Sequence, residues 1–233
     1  MYNVPYLPAE RDTNSVKPHV IKPVGMSVSI RDFLSKAVEG KTVLDVGCVD
    51  HSAKLESADT WLHKHLCGSA ARVVGLDYNQ AEVDELNRRG YHMICGDAMT
   101  VDVGERFDIV VAGEIIEHVE NPGTLICNLK RHLKPGGTLL LTTPNVFFGL
   151  HFMESIFASP YKRWNEEHVA WWCYFTLGNL LRRCGMEVVQ CRYFARSRIT
   201  LRVLRTLGMK CPGVLASSLL MVASADSPVE QAG

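Results

Sequence analysis

The chain has no excess of charge of either sign: its 25 basic and 25 acidic residues cancel. A protein whose main task is to coat nucleic acid is usually visibly basic, so that class is disfavoured, while a local basic patch stays open. No apolar run approaches the ~20 residues of a membrane span. No C-x-x-C pair occurs among the eight cysteines (Cys48, Cys67, Cys95, Cys127, Cys173, Cys184, Cys191 and Cys211), so a structural zinc site has no support. Residues 1–24 are polar, carry Pro5, Pro8, Pro18 and Pro23, and lack the apolar stretch of a secretory leader. The expectation is a cytoplasmic protein with reduced thiols, several of them core fillers. Also missing are a P-loop and a G-x-G-x-x-G fingerprint, which argues against nucleotide phosphates and dinucleotides as ligands.

What is present is an ordinary apolar fraction, 47% of 233 residues, enough for one large domain. Residues 1–25 read as an extended arm or lid, 26–225 as the domain, and 226–233 as a frayed tail. Within the domain, short apolar runs alternate with amphipathic stretches. TVLDVG (42–47), RVVGLD (72–77), YHMIC (91–95), FDIVVAG (107–113) and TLLLTTP (138–144) read as buried strands. Residues 26–38, 53–66, 81–90, 121–133 and 175–185 read as helices, with Asn79 capping one, Gly90 stopping it, and Lys134–Gly137 closing another. MEVVQCRYF (186–194) and SLLMVAS (218–224) read as two further strands. Such alternation implies right-handed βαβ units and a doubly wound, largely parallel α/β sheet.

Ligands of open α/β sheets sit outside the carboxyl ends of the strands. There the first four strands deliver Asp45, Gly47 and Cys48; Asp77; Asp97; and Gly113 with Glu114. Carboxylates around a glycine-lined crevice suit a cationic, nucleoside-bearing ligand. The carboxylate after the second strand can accept ribose hydroxyls, and the polar residue after the third can meet an adenine edge. Asp45 alone could instead cap loop amides.

VLDVGC (43–48), LD (76–77), GDA (96–98), AGEIIEHV (112–119) and LKPGG (133–137) stand in the order and spacing of class I S-adenosylmethionine-dependent methyltransferases. The chain resembles that family well over residues ~40–145 and more weakly to ~224. The resemblance implies a Rossmann-like seven-stranded sheet with helices on both faces and its last strand antiparallel. It implies S-adenosylmethionine as cofactor. Asp45, Gly47, Cys48 and Val49 would line its methionine part, Asp77 and Tyr78 its ribose, Asp97 and Ala98 its adenine, and Gly113 and Glu114 its sulfonium. One departure matters: Val49 stands where the family usually has a second loop glycine. Either the loop turns differently or the pocket is impaired.

For the acceptor, Glu114, Glu117 and His118 share one face if their turn is helical. Local capping, a general-base role for His118 with Glu117, and a divalent-metal site all compete; no metal ligand is assigned. The run resembles the E-x-x-E-H-V of ubiquinone-biosynthesis O-methyltransferases. NEEHVAWWCYFTLGNLLRRCGMEV (165–188) resembles small-molecule and polysaccharide-cluster methyltransferases, which puts His168 over the acceptor with Trp171 and Trp172 as a wall. Core packing is the alternative for both tryptophans. TTPNVFF (142–148) lacks the [DN]-P-P-[YFW] run that holds a flipped base, so DNA is not an expected acceptor. Residues 196–207 are basic and amphipathic, suited to an anionic membrane surface, a phosphate-bearing substrate, or plain solvent. The expected activity is methyl transfer to a small-molecule or glycan oxygen. N- or C-methylation, an RNA or protein acceptor, and non-catalytic S-adenosylmethionine binding are the alternatives. Oligomeric state has no signature.

Overall fold

The computed structural model describes residues 26–27, 29–49, 60–149, 151, 165–195, 206 and 213–225. The arm at 1–25, most of the basic segment at 196–207 and the tail at 226–233 lie outside the described residues. Eight strands form one sheet: β1 (Met26–Ser27), β2 (Thr42–Val46), β3 (Arg72–Asp77), β4 (Met93–Cys95), β5 (Phe107–Gly113), β6 (Leu133–Pro144), β7 (Glu187–Ala195) and β8 (Ala216–Ser224). Their order is β1-β7-β8-β6-β5-β2-β3-β4. Only β8 runs antiparallel, against both β6 and β7. β2 to β8 are therefore the expected seven strands, and β1 adds a two-residue parallel edge to β7.

Successive strand residues face opposite sides of the sheet, and both sides are covered, so the central strands are mostly apolar. Val43, Ile109, Val111, Leu140 and Leu220 pack with Leu34 and Val38 around helix α1 (Ile30–Ala37) and with Leu66 of α2 (Leu62–Cys67). Leu44, Val46, Val110, Ala112, Leu139 and Leu141 pack on the other side with Leu125, Ile126 and Leu129 of α4 (Pro122–Arg131) and Leu177 and Leu181 of α5 (Tyr174–Arg183). Helix α3 (Gln80–Arg88) contributes Val83 and Leu86 to a third cluster beside β4.

Three expected elements change. The helix expected over 53–66 is helical at Leu62–Cys67, because Trp61 is extended at its N-cap, and 53–59 lie outside the described residues. The helix expected over 26–38 begins at Ile30, because the Ser29 side chain accepts from the Asp32 amide and caps it, while 26–27 pair as strand. The Lys134–Gly137 run does not close α4 ahead of a strand; it is a bulge inside β6. Leu133 already pairs with Phe107, and register resumes at Thr138 opposite Ile109. Gly136 takes φ +73 there, and a Cβ on Gly137 would sit 2.8 Å from the Lys134 carbonyl oxygen. At the same end, the Asp108 carboxylate accepts from the Thr42 amide and hydroxyl and from Lys134 Nζ, which ties the starts of β2, β5 and β6. These bonds hold its carboxyl well below the usual range.

Candidate active site

The carboxyl ends of β2, β3, β4 and β5 lie side by side, as the sheet order requires. Asp45 is 2% exposed, and its Oδ2 lies 2.9 Å from His63 Nδ1 on α2. Burial alone would lower the imidazole pKa; Asp45 and, after it, Cys67 overcome it and raise His63 to about 9. Asp45 is thus engaged beneath the crevice, a partnership that its local sequence did not signal.

Asp77, at the tip of β3, is also buried. It accepts from the Val49 amide at 3.0 Å and from the Asn79 amide at 3.0 Å. This bears on the missing glycine. Among described residues, Glu114 is the non-glycine with positive φ, so Val49 occupies backbone that any residue adopts. Its side chain packs against the cluster of Cys48, Trp61, Val83, Leu86 and Met93. Trp61 Nε1 donates to the Cys48 carbonyl at 2.7 Å. Asp77 and Trp61 thus fix the start of the loop at Cys48 and Val49, and residues 50–59 lie outside the described residues. Gly47 keeps its left-handed φ of +70, and a Cβ there would meet Ile115 Cδ1 at 3.2 Å.

Tyr78 is 83% exposed beside Asp77. Asp97 is exposed; its carboxylate accepts from the Met99 amide at 2.8 Å, and the Ala98 carbonyl accepts from Asn128 Nδ2 at 3.0 Å. Gly113 ends β5 with Leu62 packed near it. Glu114 then takes φ +50, held by its amide donating to the carbonyl and hydroxyl oxygens of Thr142, each at 3.2 Å. The residue is exposed to solvent. Desolvation and the neighbouring Glu117 charge raise its carboxyl to about 8.

The shared helical face of Glu114, Glu117 and His118 does not form. Glu114 is left-handed, and residues 115–118 make one turn closed by the His118 amide to the Ile115 carbonyl. That turn sends Glu117 inward, 1% exposed, while the His118 ring stands edge-on to His168 at 4.7 Å between centroids. Glu117, His118 and His168 bring one ligand atom each within 4.8 Å of one another. The loop carrying His168 is pinned to Glu117, whose carbonyl accepts from the amides of Val169 (2.8 Å) and Ala170 (3.2 Å). Burial raises Glu117 to about 7, and Thr143 Oγ1 donates to its Oε2 at 3.1 Å. Burial and the neighbouring His118 lower the His168 pKa, so its imidazole is neutral near pH 7. Glu117 Oε1 and His168 Nδ1 are buried without hydrogen-bond partners among the described residues.

Trp171 packs against His168, 5.4 Å between centroids, whereas Trp172 joins the core beneath. The expected pair of wall residues is thus split between wall and core. Thr142, Thr143, His63 and Trp61 are site-building residues that sequence reasoning missed. The signal available was a polar Thr-Thr pair ending an apolar strand. A cavity of about 390 Å³ opens elsewhere, between α1 and the amino-terminal ends of β2, β5 and β6, and contains none of these residues.

Solved structures share this fold. An S-adenosylmethionine-dependent methyltransferase from Clostridium acetobutylicum superposes with TM-score 0.60 at 10% identity, covering 84% of this chain and 91% of that one. The N-methyltransferase NodS from Bradyrhizobium japonicum, in complex with S-adenosylhomocysteine, gives 0.53 at 17% identity, covering 83% and 82%. Among curated relatives, a ubiquinone biosynthesis O-methyltransferase of Coxiella burnetii is 32% identical over 139 residues, 56% of this chain and 54% of that protein. One of Hydrogenovibrio crunogenus is 29% identical over 135 residues, 54% and 51%. The chain spans about half the length of the curated relatives it matches. A family model described as a methyltransferase domain matches residues 25–191, and with that match the chain belongs to the methyltransferase domain family.

Proposed function

We propose that the chain transfers a methyl group from S-adenosylmethionine to a hydroxyl of a small-molecule or glycan acceptor. One observation carries the choice of oxygen: ligand atoms of Glu117, His118 and His168 lie within 4.8 Å of one another, and Glu117 Oε1 and His168 Nδ1 are buried and unpaired among the described residues. A hydroxyl must lose a proton during methylation, and a neutral imidazole is the group to take it. The O-methyltransferases among the relatives support the same atom.

The strand tips fit the cofactor's charge. Glu114, which needs stabilisation to ionise, finds it in a cationic ligand, and Tyr78 offers an uncovered ring for a base to stack on. The cofactor supplies, when bound, an electrophilic methyl on a neutral leaving group. The chain's own tasks are then alignment, worth roughly 7–11 kcal/mol when complete, and proton removal. His168 takes the acceptor's proton onto its ring. Glu117 lies beside it to stabilise the imidazolium or to pass the proton on. Trp171 closes one side of the acceptor space.

The Glu117, His118 and His168 spacing equally suits a divalent ion holding a deprotonated hydroxyl. A binding-only protein is the reading from another class, and the relaxed backbone at Val49 weakens it. The deciding experiment measures release of S-adenosylhomocysteine over phenols, catechols, sugars, amines and RNA, with chelator or Mg²⁺. Turnover of hydroxyl acceptors that survives chelation supports the base. Chelator loss restored by Mg²⁺ supports the ion. Activity on amines alone, or no calorimetric binding of S-adenosylmethionine, sinks the proposal. Membrane contact through 196–207 remains a proposal that vesicle sedimentation tests.

A further inference from the structure

The cavity of about 390 Å³ at the amino-terminal ends of β2, β5 and β6 contains none of the groups used above for methyl transfer. Its size lies within the roughly 300–1,000 Å³ of pockets that take small molecules. Phe33 and Ala37 of α1, Ile109 of β5, Leu140 of β6 and Val222 of β8 give it an apolar wall. Its polar side chains are Lys41, Lys134, Asp108 and Gln190, with Thr138 at the end of the β6 bulge.

These polar groups are donors in excess. One oxygen of Asp108 already accepts from the Thr42 amide and hydroxyl, and the other from Lys134 Nζ at 3.0 Å. Lys134 gives a second proton to Thr42 Oγ1 at 3.0 Å; an ammonium has three to give, so one is left. Gln190 Oε1 accepts from Arg192 Nε at 3.1 Å, which leaves the NH₂ end of that amide to donate. Asp108 and Lys134 cancel in charge. Lys41 is exposed and has no ion-pair partner among the described residues, so it sets the sign of the cavity.

We infer that this cavity is a second ligand site, for a small amphipathic carboxylate. The apolar wall covers the body of such a ligand, and Lys41 and the remaining donors meet its head. Other classes fit worse. A cation would face Lys41 and a carboxylate that already holds three hydrogen bonds. A polyanion would find a single uncompensated positive charge, and a polyol would leave the apolar wall without a partner. The site stands at the opposite end of the sheet from Asp45 and Glu114, so its occupation neither requires nor reports methyl transfer.

The test is calorimetric titration of the full chain with octanoate at low salt, with and without S-adenosylhomocysteine. Octanoate should bind in both cases. Acetate, which lacks the apolar body, and octylamine, which reverses the charge, should bind at least about tenfold more weakly. Lys41→Met should weaken octanoate about three- to fivefold, as befits an exposed charge, and Lys41→Glu about tenfold. Ala37→Trp fills the cavity and should abolish binding. If that variant does not fold, the two substitutions of exposed Lys41 still decide. Failure of octanoate to bind, equal affinity for octylamine, an affinity unchanged in Lys41→Glu, or displacement by S-adenosylhomocysteine each overturns the inference.

Discussion

The two halves of the site treat their polar groups in opposite ways. At the cofactor side, Asp45 is spent on His63, and Asp77 on the amides of Val49 and Asn79. These carboxylates hold the crevice together before any ligand arrives. At the acceptor side, Glu117 Oε1 and His168 Nδ1 are buried and unpaired among the described residues. An unpaired buried polar atom costs about 1–3 kcal/mol, so a cluster of them is expensive unless a ligand completes it. The difference is one of carboxylates: Asp45 and Asp77 are engaged by the fold, whereas Glu117 keeps one oxygen open, and the buried His63 Nε2, without a hydrogen-bond partner among the described residues, shows that an unpaired atom is not confined to the acceptor side.

The largest effect should come from the unsatisfied side. His168→Ala should reduce turnover by about 10²–10⁴-fold, the usual worth of a positioned acid or base. Glu117→Gln, isosteric but unable to ionise, should fall in the lower part of that range. Calorimetry should find S-adenosylmethionine affinity unchanged in both. If either variant loses cofactor binding as well, the two halves are not separable as drawn.

Asp45 tests the satisfied side. Asp45→Ala strands a buried imidazole, and breaking a buried pair costs about 3–5 kcal/mol. His63 can shed its proton, which places the loss toward 3 kcal/mol, or roughly 6–12 °C of Tm for a chain of this size. The pH dependence has a definite sign. His63 rises from 6.5 unfolded to about 9 folded, so its contribution is complete below pH 6.5 and lost as pH climbs through 9. Glu117 and Glu114, raised from 4.5 to about 7 and 8, lose stability in the same direction but finish earlier. Denaturant midpoints between pH 8 and 9 therefore carry His63 with the tail of Glu114, which the Glu114→Gln background removes. Asp45→Asn should flatten that slope, and an unchanged slope would remove the ion pair from the account.

The same contrast explains what could be read in the sequence. Strands announce themselves through local composition, so β2, β3 and β5 stand within a residue of their expected bounds. The motif residues at their tips follow from order alone. Partners distant in sequence do not. Nothing near Asp45 names His63 eighteen residues away, and nothing near Glu117 names Thr143. The helical face expected for Glu114, Glu117 and His118 failed because spacing cannot reveal a left-handed residue at its start. The Lys134–Gly137 run misled because Pro-Gly-Gly normally ends an element, whereas here it bulges within one.

Glu114 belongs to neither half cleanly, which makes its pH response informative. In the free protein desolvation and the neighbouring Glu117 push its carboxyl upward. A cationic ligand favours the ionised form, so S-adenosylmethionine affinity should rise with pH up to about 8 and level off above it. The side chain is open to solvent, so screening keeps the slope well under the tenfold per unit of a full proton release. S-adenosylhomocysteine, without the sulfonium, should show a shallower rise. Glu114→Gln should abolish the difference; isothermal titration from pH 6 to 9 reads all three.

Val49 should give the smallest effect, and for that reason it probes the comparison most finely. If the crevice is held by Asp77 and Trp61, the side chain at 49 adds packing against the Cys48 and Trp61 cluster but no special backbone geometry. Val49→Gly then restores the family's usual residue without restoring a missing function. It frees the unfolded chain and removes a packed side chain, costing about 0.5–1 kcal/mol from backbone entropy, with the lost packing in addition. S-adenosylmethionine affinity should move less than threefold, because the Val49 amide still reaches Asp77. A tenfold gain in affinity on Val49→Gly would mean that the valine obstructs the pocket. The loop would then be a compromise with the ligand rather than an alternative way to build the same crevice.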